Sequence, residues 1–346
     1  MKIAMSIDTG SAATPGVAAS TGISPELKRR SLHETTLSRS LDRGYMFLLF
    51  LASLAILAIV AGLLIQLTLS SEPSLRAFKL NFFVRDDWDP VANIYAARPF
   101  IFATLYSSLI ALLISIPISL GAAIFLAELC PKWLRTPLSF LVELLAAVPS
   151  VVYGLWAIFV MIPWLTNKVE TPISTSPFLA KMSLFNMPPN GQDMLAAGLI
   201  LAIMVTPYIT AVSRDILRAI PRSVREGSYA LGSTKWEAIN LVVLPFARAG
   251  ITGGVILGLG RALGETMAVT MVCGNGMGPF KVALFNPCST MASVIANDLG
   301  DASGLHISAL IEIGLILFLV TMVVNAAARL LIFFTAKDIQ GGGKRL

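Results

Sequence analysis

The sequence predicts an all-α, polytopic membrane protein with six transmembrane helices. Of its 346 residues, 55% are hydrophobic and only 13% are charged, whereas soluble domains carry about 25% charged residues. The apolar residues are gathered into six blocks whose lengths are close to the roughly 20 residues that span a bilayer. These blocks are 46–69, 100–127, 138–162, 194–212, 251–272 and 305–334.

Prolines interrupt several blocks without disqualifying them as membrane helices. Pro117, Pro149 and Pro207 each lie inside a block, and neighbouring helices can satisfy the carbonyls that such prolines free. We therefore expect a continuous helix in each case. The segment 163–193 carries five prolines outside the blocks and is predicted to be an irregular loop on the outer side.

The distribution of Lys and Arg predicts the orientation. With the N-terminus inside, the cytoplasmic segments hold 18 of these residues and the outer segments hold 7, which favours two cytoplasmic termini. The prediction is a flexible tail over 1–45, a membrane domain over 46–336 and a second tail over 337–346. The net charge of +6 then reflects topology and contact with the lipid bilayer, because the basic residues form no nucleic-acid-binding motif.

Three polar or reactive side chains leave alternatives open at this stage. Glu143, near one end of the third block, either extends its carboxylate towards the interface or pairs inside the bundle. Cys273 and Cys288 would both lie on the outer side, where a disulfide is possible. Small buried residues are the commoner explanation, and the cysteines show no metal-binding spacing.

The inner segment 214–250 is too long for a turn and predicts two short, capped helices. Pro221 suits the first turn of a helix over 222–231. Gly232 follows it and would end it, because glycine readily adopts the left-handed conformation found after helix C-termini.

The second helix of this segment begins with a capping-box pattern. Thr234 is followed three residues later by Glu237, so each side chain can satisfy a backbone N–H of the other residue. We expect this helix to run from Lys235 towards Leu244 and to end at Pro245. Two capped helices at the inner membrane surface suit docking into a groove of another protein.

The same segment resembles the permease subunits of bacterial ABC importers, which carry the pattern E-A-A, three residues, G, nine residues, I-x-L-P. The matching residues here are Glu226-Gly227-Ser228, Gly232 and Val242-Val243-Leu244-Pro245, with the same spacing throughout. The resemblance implies a type I ABC importer permease fold. It also implies that the loop docks on an ATPase subunit through Glu226, Leu231, Gly232, Val242, Leu244 and Pro245. The alternative is an amphipathic helix pair that rests on the lipid surface.

The fifth block combines a glycine ladder with a charged pair. Gly250, Gly254 and Gly258 recur at every fourth residue, a spacing that lets helices approach closely. Arg261 lies well inside the block, where a lone charge costs about 2.5–3.5 kcal/mol, and Glu265 at i+4 is placed to pair with it. Either the pair neutralises itself and locks helix packing, or Arg261 faces a water-filled path and meets an anion.

A second resemblance concerns the transported solute. Residues 260–270, GRALGETMAVT, resemble the fifth-helix motif of one of the two permease types of bacterial phosphate importers, and favour it over its sister type, PstA. Residues 290–297 resemble the first of these two permease types, and residues 143–155 resemble both types. The resemblance covers roughly residues 40–340. It implies inorganic phosphate as the solute, with Arg261 and Glu265 in the substrate pathway.

The resemblance also implies a set of partners. These are a PstA-like permease in a heterodimer, two ATPase subunits and a periplasmic or surface-tethered phosphate-binding protein, in the bacterial inner membrane. The C-terminal run 341–345 lacks the first Gly and the Ser or Thr of a phosphate-binding loop. We therefore expect a transporter subunit and not an enzyme, with no catalytic residue, metal or cofactor of its own and with ATP bound by the partner subunit.

Three other functions compete with a phosphate permease. An ABC permease for another oxyanion, such as molybdate or sulfate, would share the inner-loop pattern. A channel or secondary transporter would explain the intramembrane charges without an ATPase. A membrane-embedded enzyme using Glu265 is the weakest alternative, because no second carboxylate or His stands beside it in the sequence.

Overall fold

A computed structural model of the chain describes residues 25–178, 182–279 and 281–342, and within these ranges the regular elements are helices. They are α1 (Pro25–Phe78), α2 (Asn81–Val84), α3 (Arg98–Ile124), α4 (Lys132–Ala147), α5 (Ser150–Trp156), α6 (Ile162–Leu165), α7 (Thr171–Thr175), α8 (Met194–Ala219), α9 (Arg222–Ala230), α10 (Lys235–Ala238), α11 (Leu244–Leu263), α12 (Met267–Val272), α13 (Met291–Asp298) and α14 (Leu305–Gly342). π-Helical turns continue α3, α5, α6 and α10 over Phe125–Leu129, Ala157–Met161, Thr166–Glu170 and Ile239–Val243.

Six of the helical runs in the described part of the chain are long and apolar enough to cross a membrane, as predicted. They are Asp42–Phe78, Arg98–Leu129, Ser150–Thr175, Met194–Ala219, Lys235–Leu263 and Leu305–Leu330. The prediction of an all-α protein with six membrane helices is therefore confirmed, although the third and fifth spans have other bounds than the apolar blocks suggested.

The chain divides into two compact units, Met1–Leu63 and Leu64–Leu346. In the first unit the structure begins with α1 at Pro25, and the side chains of residues 42–63 are exposed. A helix that is apolar on all sides suits contact with lipid. The flexible tail over 1–45 stays a prediction: residues 1–24 lie outside the described residues and residues 25–45 belong to α1. At the other end α14 extends to Gly342, and 343–346 lie outside the description.

In the second unit α8 is the most buried span, with α3 and α11 packed against it. The glycine ladder of α11 faces α8: a Cβ added to Gly250 would lie 2.7 Å from Ile216, and one added to Gly258 would lie 2.7 Å from Ile209. Any side chain at these positions would push the helices apart. The predicted close packing by small residues is confirmed.

The third apolar block is not one helix. The chain leaves the helical conformation at Val148 (ψ 132°) and Pro149 (ψ 139°), which separate α4 from α5. A residue before proline is driven towards extended backbone, and proline itself lacks an N–H to continue the helix. The continuous span predicted over 138–162 is therefore wrong, and the membrane helix runs instead over Ser150–Thr175.

The same shift corrects the predicted irregular loop over 163–193, since its first part is helical as far as Thr175. Pro163 and Pro172 lie in the first turns of α6 and α7, directly after π-helical turns. Prolines within a membrane helix are tolerated where local π-helical adjustments re-satisfy the backbone groups that they free. The prolines thus sit within a helical run that the sequence pattern assigned to a loop.

The three cysteines, Cys130, Cys273 and Cys288, are buried free thiols. The backbone N–H of Cys288 donates to the carbonyl of Cys273 at 2.8 Å, which holds their two segments together without a covalent bond. The structure agrees with the interpretation of these residues as small buried side chains.

Candidate coupling loop and substrate pathway

The first predicted helix of the inner loop is present. Pro221 stands just before α9, which ends at Ala230, and Leu231 caps its C-terminus. Gly232 has φ +85°, a left-handed conformation that a side chain would strain. Its N–H donates to the carbonyl of Tyr229 at 2.9 Å. Gly232 therefore ends α9 and turns the chain, as predicted.

The capping box is also present. The N–H of Thr234 donates to Glu237 Oε2 at 2.8 Å, and the N–H of Glu237 donates to Thr234 Oγ1 at 3.3 Å. The prediction that Pro245 ends this helix is wrong, because a π-helical turn over Ile239–Val243 leads directly into α11, which begins at Leu244. Pro245 then falls in the first turn of α11, and a local π-helical adjustment such as the one before it can re-satisfy the backbone groups that a proline frees.

The residues predicted to couple to an ATPase fall into two groups. Glu226, Leu231, Gly232 and Pro245 are exposed, and Leu231 is 91% exposed. Val242 and Leu244 are half-buried. We call the exposed tip formed by residues 226–237 the knob. Two large apolar side chains that the sequence pattern did not single out, Tyr229 and Trp236, are exposed on it as well, at 43% and 60%.

An arginine that sequence reasoning missed anchors the knob. Arg225 donates through Nη2 to Glu128 Oε1 at 2.7 Å and through Nε to the same oxygen at 3.1 Å. It also donates to the carbonyls of Ile220 and Leu217, at 2.6 and 2.7 Å. The Arg225 and Glu128 side chains are only 18% and 9% exposed. Because Glu128 lies in the π-helical turn that continues α3, the contact ties the knob to the end of a membrane span.

Glu143 forms an ion pair, although its own side chain is 57% exposed. Its Oε1 lies 2.8 Å from Nη2 of Arg214, a residue of α8 whose side chain is 4% exposed. Arg214 also pairs with Asp215 at 2.8 Å. The two carboxylates share one buried guanidinium, so α4 and α8 are joined by an ion pair at this end.

The fifth block, predicted as one helix, is broken after Leu263. Gly264 caps the C-terminus of α11, and α12 begins at Met267. Glycine is a poor helix former that commonly ends helices. Glu265 lies in the break, and its Oε1 accepts a hydrogen bond from the N–H of Ala268 at 3.3 Å, where the first turn of a helix offers free N–H groups.

This break removes the predicted ion pair between Arg261 and Glu265. The i+4 relation holds only within a continuous helix, and no ion pair of Arg261 occurs among the described residues. Instead the guanidinium carbon of Arg261 lies 5.8 Å from the ring centre of Tyr208 on α8. Its Nε is buried and has no hydrogen-bond partner in the part of the chain that is described.

Within the described residues, His, Cys, Asp and Glu form no cluster of three or more that could hold a metal ion.

Comparison with known proteins identifies related families. The model of the family described as "binding-protein-dependent transport system inner membrane component" matches residues 116–334. The phosphate transport system permease protein PstC of Pasteurella multocida is 43% identical over 315 residues, which cover 88% of this chain and 97% of that protein. PstC of Mesorhizobium japonicum is 42% identical, covering 80% and 86%, and PstC 1 of Mycobacterium tuberculosis is 38% identical, covering 74% and 82%.

Solved structures show the same fold at lower sequence identity. A chain of the MetNI methionine ABC transporter, in an inward-facing conformation, matches with a TM-score of 0.50 and 18% identity, over 68% of this chain and 94% of that chain. A chain of a bacterial alginate ABC transporter, in complex with a periplasmic protein, matches with a TM-score of 0.51 and 15% identity, over 89% and 96%.

Proposed function

The chain belongs to the family of binding-protein-dependent inner-membrane permeases of the PstC type, and we propose that it forms one wall of a phosphate pore opposite a PstA-type permease. As a member of this family it is a multi-pass inner-membrane subunit of an ATP-driven phosphate importer. Two ATPase subunits bind and hydrolyse ATP, so the chain itself needs no cofactor. A periplasmic or surface-tethered phosphate-binding protein delivers the solute, and both termini lie in the cytoplasm.

The knob carries the coupling part of this proposal. It places four exposed side chains, Glu226, Tyr229, Leu231 and Trp236, around one tight turn. Large apolar side chains are costly to leave in water, and aromatic anchors of this kind dominate binding energy at protein interfaces. Its backbone is preset by the positive φ of Gly232 and by the capping box. A preset knob loses little conformational entropy when it docks.

We further propose that Arg261 lies in the substrate pathway. A guanidinium without a carboxylate partner keeps its hydrogen-bond donors for an oxyanion, and its planar fork matches phosphate geometry. One guanidinium is a weak host for phosphate, so the partner permease is expected to contribute further cationic groups. Glu265 contributes by capping α12 close to Arg261 in the chain, and not by neutralising the arginine.

The coupling role is tested by Leu231→Asp, with Val91→Asp as the matched control. Leu231 and Val91 are 91% and 93% exposed, so neither supports the fold of the isolated chain. A charge at an interface anchor costs about 2 kcal/mol or more, roughly 30-fold in affinity. We expect Leu231→Asp to lose co-purifying ATPase and ATP-driven uptake, and Val91→Asp to keep both. Equal ATPase recovery and equal uptake in the two variants would contradict docking through the knob.

A further inference from the structure

A polar cavity that none of the roles above uses lies between α4 and α8. It has a volume of about 300 Å³ and is lined by Arg135, Thr136, Ser139, Phe140, Glu143 and Arg218. Both helices belong to the second compact unit. In the orientation proposed above, the cavity is at the cytoplasmic end of the membrane spans.

Positive charge at this cavity exceeds negative charge. Both nearby carboxylates, Glu143 and Asp215, are engaged with Arg214, each at 2.8 Å. Arg135 and Arg218 line the cavity and form no ion pair among the described residues. Two guanidinium groups, of Arg135 and Arg218, and one carboxylate, of Glu143, thus line the cavity. Among the described residues that carboxylate pairs with Arg214 and with neither of the two.

Several hydrogen-bond donors at the cavity are unused. Nε of Arg135 is buried and has no hydrogen-bond partner among the described residues, while its Nη2 donates to the carbonyl of Cys130 at 3.2 Å. Nη1 of Arg214, next to the cavity but not lining it, is also buried without a partner in the described part of the chain. Arg218 donates through Nη2 to Ser139 Oγ at 3.2 Å, which leaves the Ser139 O–H free to donate elsewhere. Burying a donor without an acceptor is unfavourable.

Electrostatics also favours an anion here. Arg135 and Arg218 line the same cavity, and Arg214 lies one turn before Arg218 on α8, so like charges lie close together here and repel one another. A bound anion would relieve the repulsion and accept from the unused donors at once. Arginine forks match tetrahedral oxyanions through paired N–H donors, and hydroxyls such as Ser139 add a further donor.

We propose that this cavity binds a phosphate group, held by Arg135 and Arg218 and by the hydroxyl of Ser139. Two sources share this chemistry. One is inorganic phosphate, the transported solute, held on its way out of the pore; this source rests on the proposed function. The other is the headgroup of an anionic phospholipid, which basic pockets at the cytoplasmic side of membrane helices commonly bind.

The first test uses the unmodified, assembled importer in nanodiscs of phosphatidylcholine. Phenylglyoxal modifies accessible arginines, and peptide mass spectrometry reports the rate at each position. Added inorganic phosphate should slow modification of Arg135 and Arg218 several-fold if the solute binds. Nanodiscs that contain phosphatidylglycerol should slow it without added phosphate if a lipid binds. Arg85, exposed on the outer side, should react equally in all samples.

The second test compares Arg135→Gln with Lys132→Gln, a change to an exposed residue one turn away on α4 that does not line the cavity. A solute site predicts a phosphate KM raised about tenfold in Arg135→Gln, as expected for one lost charge-assisted hydrogen bond. A lipid site predicts several-fold less phosphatidylglycerol retained on purification.

The proposal is overturned if neither phosphate nor phosphatidylglycerol protects the two arginines and Arg135→Gln matches Lys132→Gln in both KM and retained lipid. Phosphate uptake by the unmodified importer in vesicles of the same lipids separates this failure from failure of the transport function. Normal uptake without protection of the arginines would reject the phosphate site in the cavity and leave the transport function standing.

Discussion

At the scale of single residues, Arg261 shows how a local break frees a charge. A continuous helix would have placed Glu265 one turn away, as a built-in counterion. Because the helix breaks at Gly264, the Glu265 carboxylate instead accepts a hydrogen bond from the backbone N–H of Ala268. The Arg261 guanidinium then rests beside the ring of Tyr208, and a contact of this type is worth about 0.5–2 kcal/mol. This is less than the attraction of a buried anion, so the arginine can exchange the ring for an oxyanion.

Arg261→Gln should therefore impair phosphate transport while the importer still assembles. The loss of a charge-assisted hydrogen bond costs about 1.5–3 kcal/mol, roughly 10- to 100-fold in phosphate affinity. Uptake of radiolabelled phosphate into proteoliposomes measures the change, and subunit co-purification controls for assembly. Arg261→Lys keeps the positive charge but lacks the planar guanidinium fork, so its phosphate uptake should fall between that of the parent and that of Arg261→Gln. Unchanged uptake kinetics in Arg261→Gln would remove Arg261 from the pathway.

Asp193 is a second residue whose environment governs its chemistry. Its side chain is fully buried, and Oδ1 accepts from the N–H of Ala196 at 2.9 Å, which caps α8. Oδ2 has no hydrogen-bond partner among the described residues. Burial and, to a smaller extent, the nearby carboxylate of Glu170 together raise the pKa of Asp193 to about 7, against the lowering effect of hydrogen bonds from the N–H groups of Ala196 and Leu195.

This pKa predicts a pH dependence of stability. The unfolded aspartate has a pKa of about 3.9, so the folded chain binds the extra proton between about pH 4 and pH 7. The resulting stability is complete below the unfolded pKa and is lost as the pH rises through the folded pKa. Asp193→Asn keeps the capping oxygen and removes the titration. The variant should lose less stability than the parent between pH 5 and pH 8, by about 2.5 kcal/mol, because about two pH units of the titration fall inside this window.

The measurement is the thermal unfolding midpoint of the purified importer across this pH range, for the parent and for Asp193→Asn. The difference between the two curves isolates the one carboxyl group from all others that titrate. Parallel curves would show that Asp193 titrates as it does in the unfolded chain.

At the scale of the elements, the important connection runs from α9 to the end of α3. Glu128 and the carbonyls of Leu217 and Ile220 all accept from Arg225. Removing one partner of a buried ion pair usually costs about 3–5 kcal/mol. The anchor therefore keeps the knob in a fixed position relative to a membrane span. A coupling element needs this rigidity if it is to transmit motion to the membrane helices.

Arg225→Lys should weaken coupling more than docking. A lysine keeps the charge but offers no planar fork, so it cannot reproduce the four hydrogen bonds of Arg225. We expect the ATPase subunits to co-purify, with more ATP hydrolysed per phosphate transported. Lys132→Arg, on an exposed residue of α4, is the control for a basic exchange in the same region. An unchanged ratio of ATP to phosphate would show that the anchor has no part in coupling.

At the scale of the whole molecule, the burial pattern divides the spans by role. The span Met194–Ala219 is mostly buried inside the second unit, whereas α4 and α5 keep many large apolar side chains exposed. Such side chains need either lipid or the partner permease as their environment. Together with the Lys and Arg bias, this supports a pore subunit whose knob lies on the cytoplasmic side.

The orientation is tested with two engineered cysteines. Val91 lies between the first and second spans, on the predicted outer side, and Lys132 lies between the second and third spans, on the predicted cytoplasmic side. Both positions are exposed. The native cysteines are buried and should add little background. A membrane-impermeant maleimide applied from the periplasmic side should label Val91→Cys alone, and lysis should expose Lys132→Cys. The reverse pattern would invert the topology.

The sequence by itself determined the features that depend on local chemistry. Apolar blocks of bilayer length gave the number of spans, because transfer into lipid depends on composition and length. The knob was equally local, since Gly232, Thr234 and Glu237 shape backbone within a few residues of themselves. The glycine ladder also belongs here, because its spacing alone places three glycines on one face of α11.

Only the tertiary structure decided where the helices break and which charges pair. The hydropathy of a block is the same whether Pro149 or Gly264 ends a helix or lies inside one, so hydropathy cannot predict the break. Packing against neighbouring helices determines whether the helix continues. Arg225 and Glu128 are 97 residues apart in the chain, so no local pattern could join them. The cavity of Arg135 and Arg218 arises in the same way, because distant helices must pack before two scattered arginines face one space.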